Sequence, residues 1–300
     1  MADLLRGATD GPGRLRALLA GNWPVLLPGC YDALGARLIE RAGFDAVYMS
    51  GFGTAAGLLG RPDVGLLGLA EMVDNVRRIV AATDLPVVAD ADTGYGNPIN
   101  VIRTVQDYER AGVAGLHIED QVAPKRCGHM EGKQVIPTND MVAKIEAAAA
   151  ARRNPDLVLI ARTDARAPHG LDDAIDRAHR FAAAGADILF VEALTGKDEI
   201  EVVSRELAGI PLLFNWAEGG KTPPLPLERL EELGFAMVIM PIGLLLAATK
   251  AMEAVLASVR RHGTPVEVLP ELPTFNQFTD LIGLPEINAL ESRFSTGADA

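Results

Sequence analysis

Two aspartates at the end of a short apolar run form a pair of carboxylates that could bind a cation. Asp90 and Asp92 follow Val87–Ala89, a run too short for a helix and typical of a buried strand. Residues two apart on an extended strand point to the same side, so these carboxylates would repel each other unless a proton or cation lay between them. Mg²⁺ is usually held by one or two carboxylates together with waters and substrate oxygens. Taken alone, the pair is equally well explained as an Asp-rich solvated turn.

A loop with a cysteine among basic residues is the second reactive feature. The side chains that flank Cys127 are Lys125, Arg126 and His129. Positive charges stabilise a thiolate, so we expect the pKa of this thiol to be lowered and its proton to be transferable. Gly128 and Gly132 would let residues 121–133 bend as a lid over a site. The simpler alternative is a solvated basic loop with an idle cysteine.

These residues need a scaffold, and the chain repeats one unit: a helix with an apolar face, a glycine, and a short apolar strand. The glycine supplies the left-handed residue that ends the helix. We place strands at 24–28, 46–50, 87–89, 115–119, 157–161, 188–192, 212–214 and 237–240. We place helices at 13–21, 70–83, 98–111, 139–153, 171–184 and 244–261. Eight strands alternating with helices predict an α/β fold, a closed (β/α)8 TIM-type barrel with an N-terminal helix.

The chain beyond the eighth unit forms a separate tail. We assign residues 1–264 to the barrel and 265–300 to a C-terminal helical tail, with a short helix at 286–293. The tail is rich in apolar side chains, and this much apolar surface needs another surface to cover it. We therefore expect the tail to cap the barrel or to pack on a neighbouring subunit.

In a barrel of this kind the active site lies at the C-terminal ends of the strands. The residues at those ends are Tyr48, Ser50, Gly51, Phe52, Asp90, Asp92, His117, Glu119, Asp120, Arg162, Asp164, Glu192 and Asn215. The carboxylates among them, Asp90, Asp92, Glu119 and Glu192, could together hold Mg²⁺, several of them through water.

The remaining strand-end residues suit a small carboxylate. Arg162 offers a bidentate fork for a carboxylate of the substrate. Asn215 and the backbone amides of residues 50–52 could hold a second carboxylate or an oxyanion. A structural ion pair between Arg162 and Asp164, and a helix cap by Glu192, are the simpler alternatives for single residues.

Composition excludes several classes of partner. A formal net charge of −12 argues against a nucleic-acid surface, which needs clustered cations, and no apolar run is long enough for a membrane span. The N-terminal residues show no signal-peptide pattern, and two cysteines cannot make a disulfide framework. We therefore expect a cytoplasmic protein, and we assign Cys30, which has no cation beside it, to packing.

One nucleotide-binding pattern is rejected. Residues 51–56, Gly-Phe-Gly-Thr-Ala-Ala, match a dinucleotide fingerprint, which requires a helix to begin directly after a strand. The residues that we expect to prevent a helix here are Gly57, Gly60, Pro62, Gly65 and Gly68.

Nearly the whole chain, from Pro28 to Thr264, resembles the isocitrate lyase/phosphoenolpyruvate mutase superfamily, and within it the methylisocitrate lyase-like branch. Its most specific segment is residues 125–129, Lys-Arg-Cys-Gly-His, which is similar to the signature loop of the lyases. Supporting segments are 48–51 (Tyr-Met-Ser-Gly), 90–92 (Asp-Ala-Asp), 119–121 (Glu-Asp-Gln), 161–165 (Ala-Arg-Thr-Asp-Ala) and 218–223 (Glu-Gly-Gly-Lys-Thr-Pro).

The resemblance implies roles for these residues. It implies Mg²⁺, with Mn²⁺ as a substitute, at Asp90, Asp92 and Glu119, while Asp63 reaches the metal through water. It implies Cys127 as the general acid. The residues that we assign to substrate binding are Ser50, Gly51, Phe52, Gly128, Arg162, Glu192 and Asn215, and Lys125 and His129 join the catalytic group. The family's exchange of a C-terminal helix between subunits further implies a homotetramer.

The implied activity is cleavage of the C2–C3 bond of a 2-substituted malate or oxaloacetate, giving an α-keto acid or oxalate and a second carboxylate. The base stays open between Tyr48, Asp63 and a hydroxide on the metal. Three alternatives are a 2-methylisocitrate lyase, a carboxyvinyl-carboxyphosphonate phosphorylmutase, which should need no cysteine acid, and a non-catalytic carboxylate-binding barrel. Trp216 stands where close relatives usually carry Met or Ile, and we expect its indole to reshape the pocket.

Overall fold

The computed structural model describes residues 4–5, 9–21 and 24–295. Eight parallel strands form a closed barrel in chain order, because the last strand pairs with the first. The strands are β1 (Val25–Cys30), β2 (Val47–Met49), β3 (Val87–Asp90), β4 (Gly115–Glu119), β5 (Val158–Thr163), β6 (Ile188–Val191), β7 (Leu212–Asn215) and β8 (Phe235–Met240). The predicted (β/α)8 barrel is confirmed, with strand bounds that differ by a few residues.

Helices follow the strands around the outside of the barrel. They are α1 (Gly11–Leu19), α2 (Ala33–Arg41), α3 (Gly51–Leu59), α4 (Leu69–Ala81), α5 (Pro98–Arg110), α6 (Thr138–Ala151), α7 (Arg166–His169), α8 (Leu171–Ala183), α9 (Lys197–Glu206), α10 (Leu227–Glu232), α11 (Gly243–His262), α12 (Phe275–Leu281) and α13 (Leu284–Phe294). None of the helices in the described ranges combines the length and the apolar composition that crossing a membrane requires.

Two apolar cores are separated by the wall of the barrel. Side chains alternate between the two faces of a strand, so every second residue points inward. The inner core contains Leu27, Val88, Ile160 and Met237, among others. Leu15 of α1 is fully buried in the same cluster, so the predicted N-terminal helix contributes to this inner core. The outer core fills the layer between the strands and the helices.

The prediction that glycines prevent a helix after β2 is wrong. Helix α3 begins at once, and the Ser50 side chain caps it by accepting a hydrogen bond from the Gly53 amide at 3.1 Å. Gly51 permits close packing, because a Cβ there would lie 2.3 Å from Oδ2 of Asp90. The helix ends only at Gly60, in the left-handed conformation that glycine adopts readily. The start of α3 therefore lies against a carboxylate.

Helix α11, which follows the last strand, buries few of its side chains. Of the residues of α11, all of which the structure describes, Ser258 alone is fully buried. Apolar side chains on its surface include Met252, 56% exposed, and Leu256, 67% exposed. The tail forms α13 where a helix was predicted, and α12, which was not predicted. Within the chain the tail buries Leu281, while Phe275 is 80% exposed.

Candidate active site

The C-terminal ends of the strands surround a cavity of about 250 Å³. Most of the predicted site residues line it, namely Tyr48, Ser50, Phe52, Asp63, Asp90, Lys125, Cys127, Gly128, His129, Arg162, Glu192 and Asn215. Gly51, Asp92 and Glu119 lie close behind its wall rather than on it. Strand alternation explains the convergence, since these strand residues share the inward register of the inner core.

The two aspartates at the end of β3 do not share the extended backbone that the sequence predicted. The strand ends at Asp90, and Asp92 adopts a left-handed φ of 47°, which turns its side chain away. The Asp92 amide donates to Asp90 Oδ1 at 2.8 Å. The Asp92 carboxylate instead pairs with Nζ of Lys125 at 2.8 Å, and Asp63 pairs with the same ammonium at 2.5 Å. Lys125 therefore neutralises two buried carboxylates.

The donor set suits a hard divalent cation that is only partly held by protein. Within the described ranges, no group of three or more His, Cys, Asp or Glu side chains is arranged to hold a metal on its own. Asp90 faces the cavity, and Glu119 behind it is fully buried. Its Oε2 lies 3.2 Å from Nε of Arg162, but neither carboxylate oxygen accepts a hydrogen bond from a described residue, and Oε1 has no ion pair with one. Buried oxygens without partners are costly, and a cation would compensate them. One or two carboxylates completed by waters and substrate oxygens are the usual ligands of Mg²⁺.

The Arg162 guanidinium is more fully engaged than the sequence predicted. Its Nε and Nη2 donate to the two oxygens of Asp164 at 2.9 and 3.1 Å, and Nε lies 3.2 Å from Oε2 of Glu119. Nη2 also lies 3.4 Å from Oε2 of Glu192. The bidentate fork is thus occupied by Asp164, and a substrate carboxylate must use the remaining N–H groups. The simpler expectation of a structural ion pair is correct as well.

The thiol of Cys127 does not have the lowered pKa that its basic neighbours suggested. Burial raises the pKa, and the negative charges of Asp63 and Glu192 raise it further, while Arg162 opposes them. The expected cations point elsewhere. Lys125 is taken up by its two carboxylates, and Arg126 is exposed. Cys127 therefore carries its proton at neutral pH.

A buried histidine lies beneath the cavity. Nε2 of His117 is 2.9 Å from the Tyr48 hydroxyl and 3.6 Å from Oδ1 of Asp90. Burial lowers the pKa of His117 to about 4, so the ring is neutral. Burial also raises the pKa of Tyr48 well above its ordinary value, with Asp90 adding to the effect. Tyr48 therefore retains its proton. From the sequence, His117 was named as a strand-end residue without a role. Its inward position on β4, two residues before Glu119, could have predicted that it lies beneath the site.

The lid loop contacts a second loop, residues 216–222, which overlaps the segment 218–223 that supports the family resemblance. Nδ1 of His129 accepts a hydrogen bond from the Lys221 amide at 3.0 Å, and Nε2 lies 3.3 Å from Nδ2 of Asn215. The Lys221 ammonium also pairs with the Glu131 carboxylate. Cavity residues to which no role was assigned from the sequence are Met130, Ala217, Glu218, Gly219, Gly220, Ile239, Pro241 and Ile242.

Trp216 does not reshape the cavity, contrary to expectation. Asn215 points inward, so the next residue points outward, as strand alternation requires. The indole packs against the outer core, and its Nε1 donates to the Leu225 carbonyl at 3.3 Å. Together with Leu26 and Val238 it lines a small apolar groove on the outside of the barrel.

Fold and site together define a barrel enzyme with carboxylates, an arginine and a protonated thiol at one rim. The family model described as phosphoenolpyruvate phosphomutase matches residues 15–260. The chain belongs to the phosphoenolpyruvate mutase/isocitrate lyase superfamily, as its sequence suggested.

Three relatives show the range of chemistry in the family. The chain is 45% identical over 284 residues to the 2,3-dimethylmalate lyase of Eubacterium barkeri, covering 95% of this chain and 98% of that protein. It is similar to oxaloacetate acetylhydrolase solved with 3,3-difluorooxalacetate, with a TM-score of 0.91, 37% identity and coverage of 97% and 99%. It is also similar to phosphonopyruvate hydrolase solved with oxalate and Mg²⁺, with a TM-score of 0.87, 30% identity and coverage of 95% and 99%.

Proposed function

We propose that this protein is a Mg²⁺-dependent carbon–carbon lyase that cleaves a 2-substituted malate or oxaloacetate to an α-keto acid or oxalate and a second carboxylate. The observation that carries the proposal is that Cys127 lines the same cavity as Asp90 and Arg162, where burial raises the pKa of its thiol. The relatives named for 2,3-dimethylmalate and oxaloacetate act on compounds of this type and support it.

The charges of the cavity favour a dicarboxylate over a tricarboxylate. Among the described residues that line it, Arg162 is the cation left for substrate, because Asp63 and Asp92 neutralise Lys125 and burial lowers the pKa of His129 and leaves its ring neutral. A third carboxylate would find no further cation, and burying an unpaired charge is costly. This argues against a 2-methylisocitrate lyase.

The far wall of the cavity suits an apolar substituent. It is formed by Ala217, Ile239, Pro241 and Ile242, none of which has a polar side chain. An alkyl group there would be removed from water at a gain of about 0.8 kcal/mol per buried methylene. A 2-alkylmalate therefore fits the cavity better than an unsubstituted malate.

The protein's own groups bind and orient the substrate. Asp90 and Glu119, with Asp92 behind them, would hold Mg²⁺, which supplies Lewis-acid polarisation of the substrate 2-oxygen when bound. The free N–H groups of Arg162 would bind one carboxylate, and Asn215 with the amides at the start of α3 would bind the other. These contacts fix the C2–C3 bond beneath Cys127.

Proton transfer completes the reaction. Removal of the proton from the 2-hydroxyl of a malate, or of oxaloacetate that has first added a water at its 2-oxo group, lets the C2–C3 bond break. The electron pair stays on the departing carboxylate fragment. Cys127 donates its proton to that carbon, in the role of a general acid. Because Tyr48 retains its own proton, Asp63, which pairs with Lys125, is the remaining one of the two side chains for the role of base. The lid, residues 121–133, would exclude water from the carbanion.

We also propose that the protein is a cytoplasmic homotetramer in which the C-terminal segment packs on a neighbouring subunit. The support is that exposed apolar side chains lie along both α11 and the tail, so that they form an extended apolar surface rather than scattered single residues. Exchange of an identical element between copies is a low-cost route to a symmetric oligomer.

The decisive experiment is a substrate panel. Purified protein with Mg²⁺ is given 2-alkylmalates, oxaloacetate, 2-methylisocitrate and phosphonopyruvate, and release of keto acid or oxalate is followed. We expect turnover of a 2-alkylmalate or oxaloacetate. Turnover of phosphonopyruvate alone would identify phosphonate chemistry instead, and binding without turnover of any compound would identify a carboxylate-binding barrel.

A further inference from the structure

Lys133 is a buried lysine that the proposed mechanism does not use. Its side chain is 1% exposed, and its ammonium lies 2.7 Å from Oδ1 of Asp164. The same ammonium donates to the carbonyl oxygen of Gly128. A buried ammonium persists only when it is paired and hydrogen-bonded, so both acceptors matter to its position. Asp164 follows β5, whereas Gly128 adjoins Cys127 in the lid.

The base of the lid is fixed without Lys133. Gln121 and Val135 form an antiparallel bridge, and the Ile136 amide donates to the Asp120 carbonyl at 2.8 Å. The Gln121 side chain also bonds both the amide and the carbonyl of Arg126. Loss of the Lys133 ammonium would therefore leave the base of the lid in place and remove the link between its tip and the end of β5. The tip would then be held by the Cys127 amide, which donates to the Asp63 carbonyl at 3.1 Å, and by the contacts of His129.

The tip of the lid lies directly on the arginine that would bind substrate. A Cβ at Gly128 would lie 2.5 Å from Nη2 of Arg162 and 2.6 Å from Cγ of Glu192, so only glycine fits this approach. Asp164 accepts from Arg162 through two N–H groups and from Lys133 through a third. One carboxylate thus joins the lid to the guanidinium.

We propose that Lys133 is a positioning residue, which holds the Cys127–Gly128 segment over the cavity by joining the Gly128 carbonyl to Asp164. Its effect on turnover rests on the proposed function, whereas its effect on the lid does not. Without the ammonium, the Gly128 carbonyl loses its donor and the thiol spends more time away from the cavity. Arg162 still pairs with Asp164, so the buried carboxylate is not left alone.

The first measurement is the rate at which iodoacetamide alkylates Cys127 without substrate, followed by peptide mass spectrometry. We expect Lys133→Met to accelerate alkylation about tenfold or more, the factor expected when a hydrogen bond to a charged group is lost. The matched control is Lys144→Met. Lys144 is also buried and donates to a backbone carbonyl, that of Thr93 at 2.9 Å, outside the lid. Cys30, which is fully buried, is the internal reference.

The second measurement separates positioning from a loss of stability. If Lys133 acts through Cys127, then Lys133→Met should lower kcat in the wild-type background and change it little in a Cys127→Ser background. A purely structural role would lower kcat by the same factor in both backgrounds.

Two results would overturn the proposal: unchanged alkylation in Lys133→Met, or equal acceleration in Lys144→Met. If Lys133→Met does not fold, Lys133→Gln keeps an uncharged amide donor and should accelerate alkylation by a smaller factor. No acceleration there would also count against Lys133. If alkylation responds as expected but no malate or oxaloacetate is cleaved, the proposed function fails while the role of Lys133 in the lid stands.

Discussion

The rim of the barrel differs from α11 and the tail in how completely a single chain pairs its charges and buries its apolar side chains. At the rim, buried charges find partners within the chain, as Lys125 does with Asp63 and Asp92, and Lys133 with Asp164. In α11, a 20-residue helix, Ser258 alone is fully buried, and Met252 and Leu256 are more than half exposed. A buried charge is costly unless an opposite charge or a hydrogen-bond partner lies beside it, whereas apolar surface can stay exposed in one chain until a second copy covers it. The charged groups at the rim therefore find their partners within one chain, whereas α11 and the tail leave apolar surface exposed.

Removal of the metal tests the rim and should have the largest effect. Because the substrate 2-oxygen needs a Lewis acid, EDTA should abolish turnover of the active compound, and Mg²⁺ or Mn²⁺ should restore it, since oxygen ligands suit both. Keto-acid release before and after metal return is the measurement. Full activity in a preparation shown by elemental analysis to be free of metal would contradict the prediction.

Replacement of the acid tests whether Cys127 works as the rim suggests. Cys127→Ser substitutes a much weaker acid of similar size, so kcat should fall by a factor of about 10²–10⁴, the contribution of general acid catalysis. Binding of oxalate, followed by calorimetry in the presence of Mg²⁺, should change little because the carboxylate-binding groups remain. A variant with wild-type kcat would show that Cys127 is a bystander and would favour the phosphorylmutase alternative.

Deletion of residues 265–300 tests the other half of the comparison. The full chain should behave as a tetramer in light scattering, and the shortened chain should give smaller or aggregating species because the apolar surface left on α11 loses its partner. A monomeric full-length protein at micromolar concentration would mean that the tail folds back on its own barrel. In that case the exposed surface of α11 would need a different explanation.

Replacement of Trp216 should have the smallest effect on activity. Since the indole packs outside the barrel, Trp216→Met should leave the preference among 2-alkylmalates unchanged and lower the free energy of unfolding by about 0.5–3 kcal/mol, the usual range for a packing change. Relative kcat/KM values and denaturant unfolding measure the two effects. A changed order of substrate preference would show that outward residues of β7 control the cavity.

The barrel and the convergence of most of the predicted cavity residues follow from local sequence patterns. Helix-ending glycines and period-two strands are local signals, and closure then places successive strand ends on one rim. This is why Asp90, Arg162, Glu192 and Asn215 converge as predicted. The outward direction of Trp216 could also have been read from the inward direction of Asn215, and it was missed because only its size was considered.

The pairing of Lys125 and the pKa of Cys127 could not be predicted from the sequence, because they depend on contacts between distant segments. Lys125 turns to Asp63, 62 residues away, instead of to the neighbouring thiol, and burial then raises the pKa of Cys127 that adjacent charges had suggested would fall. Helix α3 forms despite its glycines, since Gly51 allows the backbone to approach Asp90. Local sequence specifies which groups are present, but desolvation and partner choice depend on the packed fold.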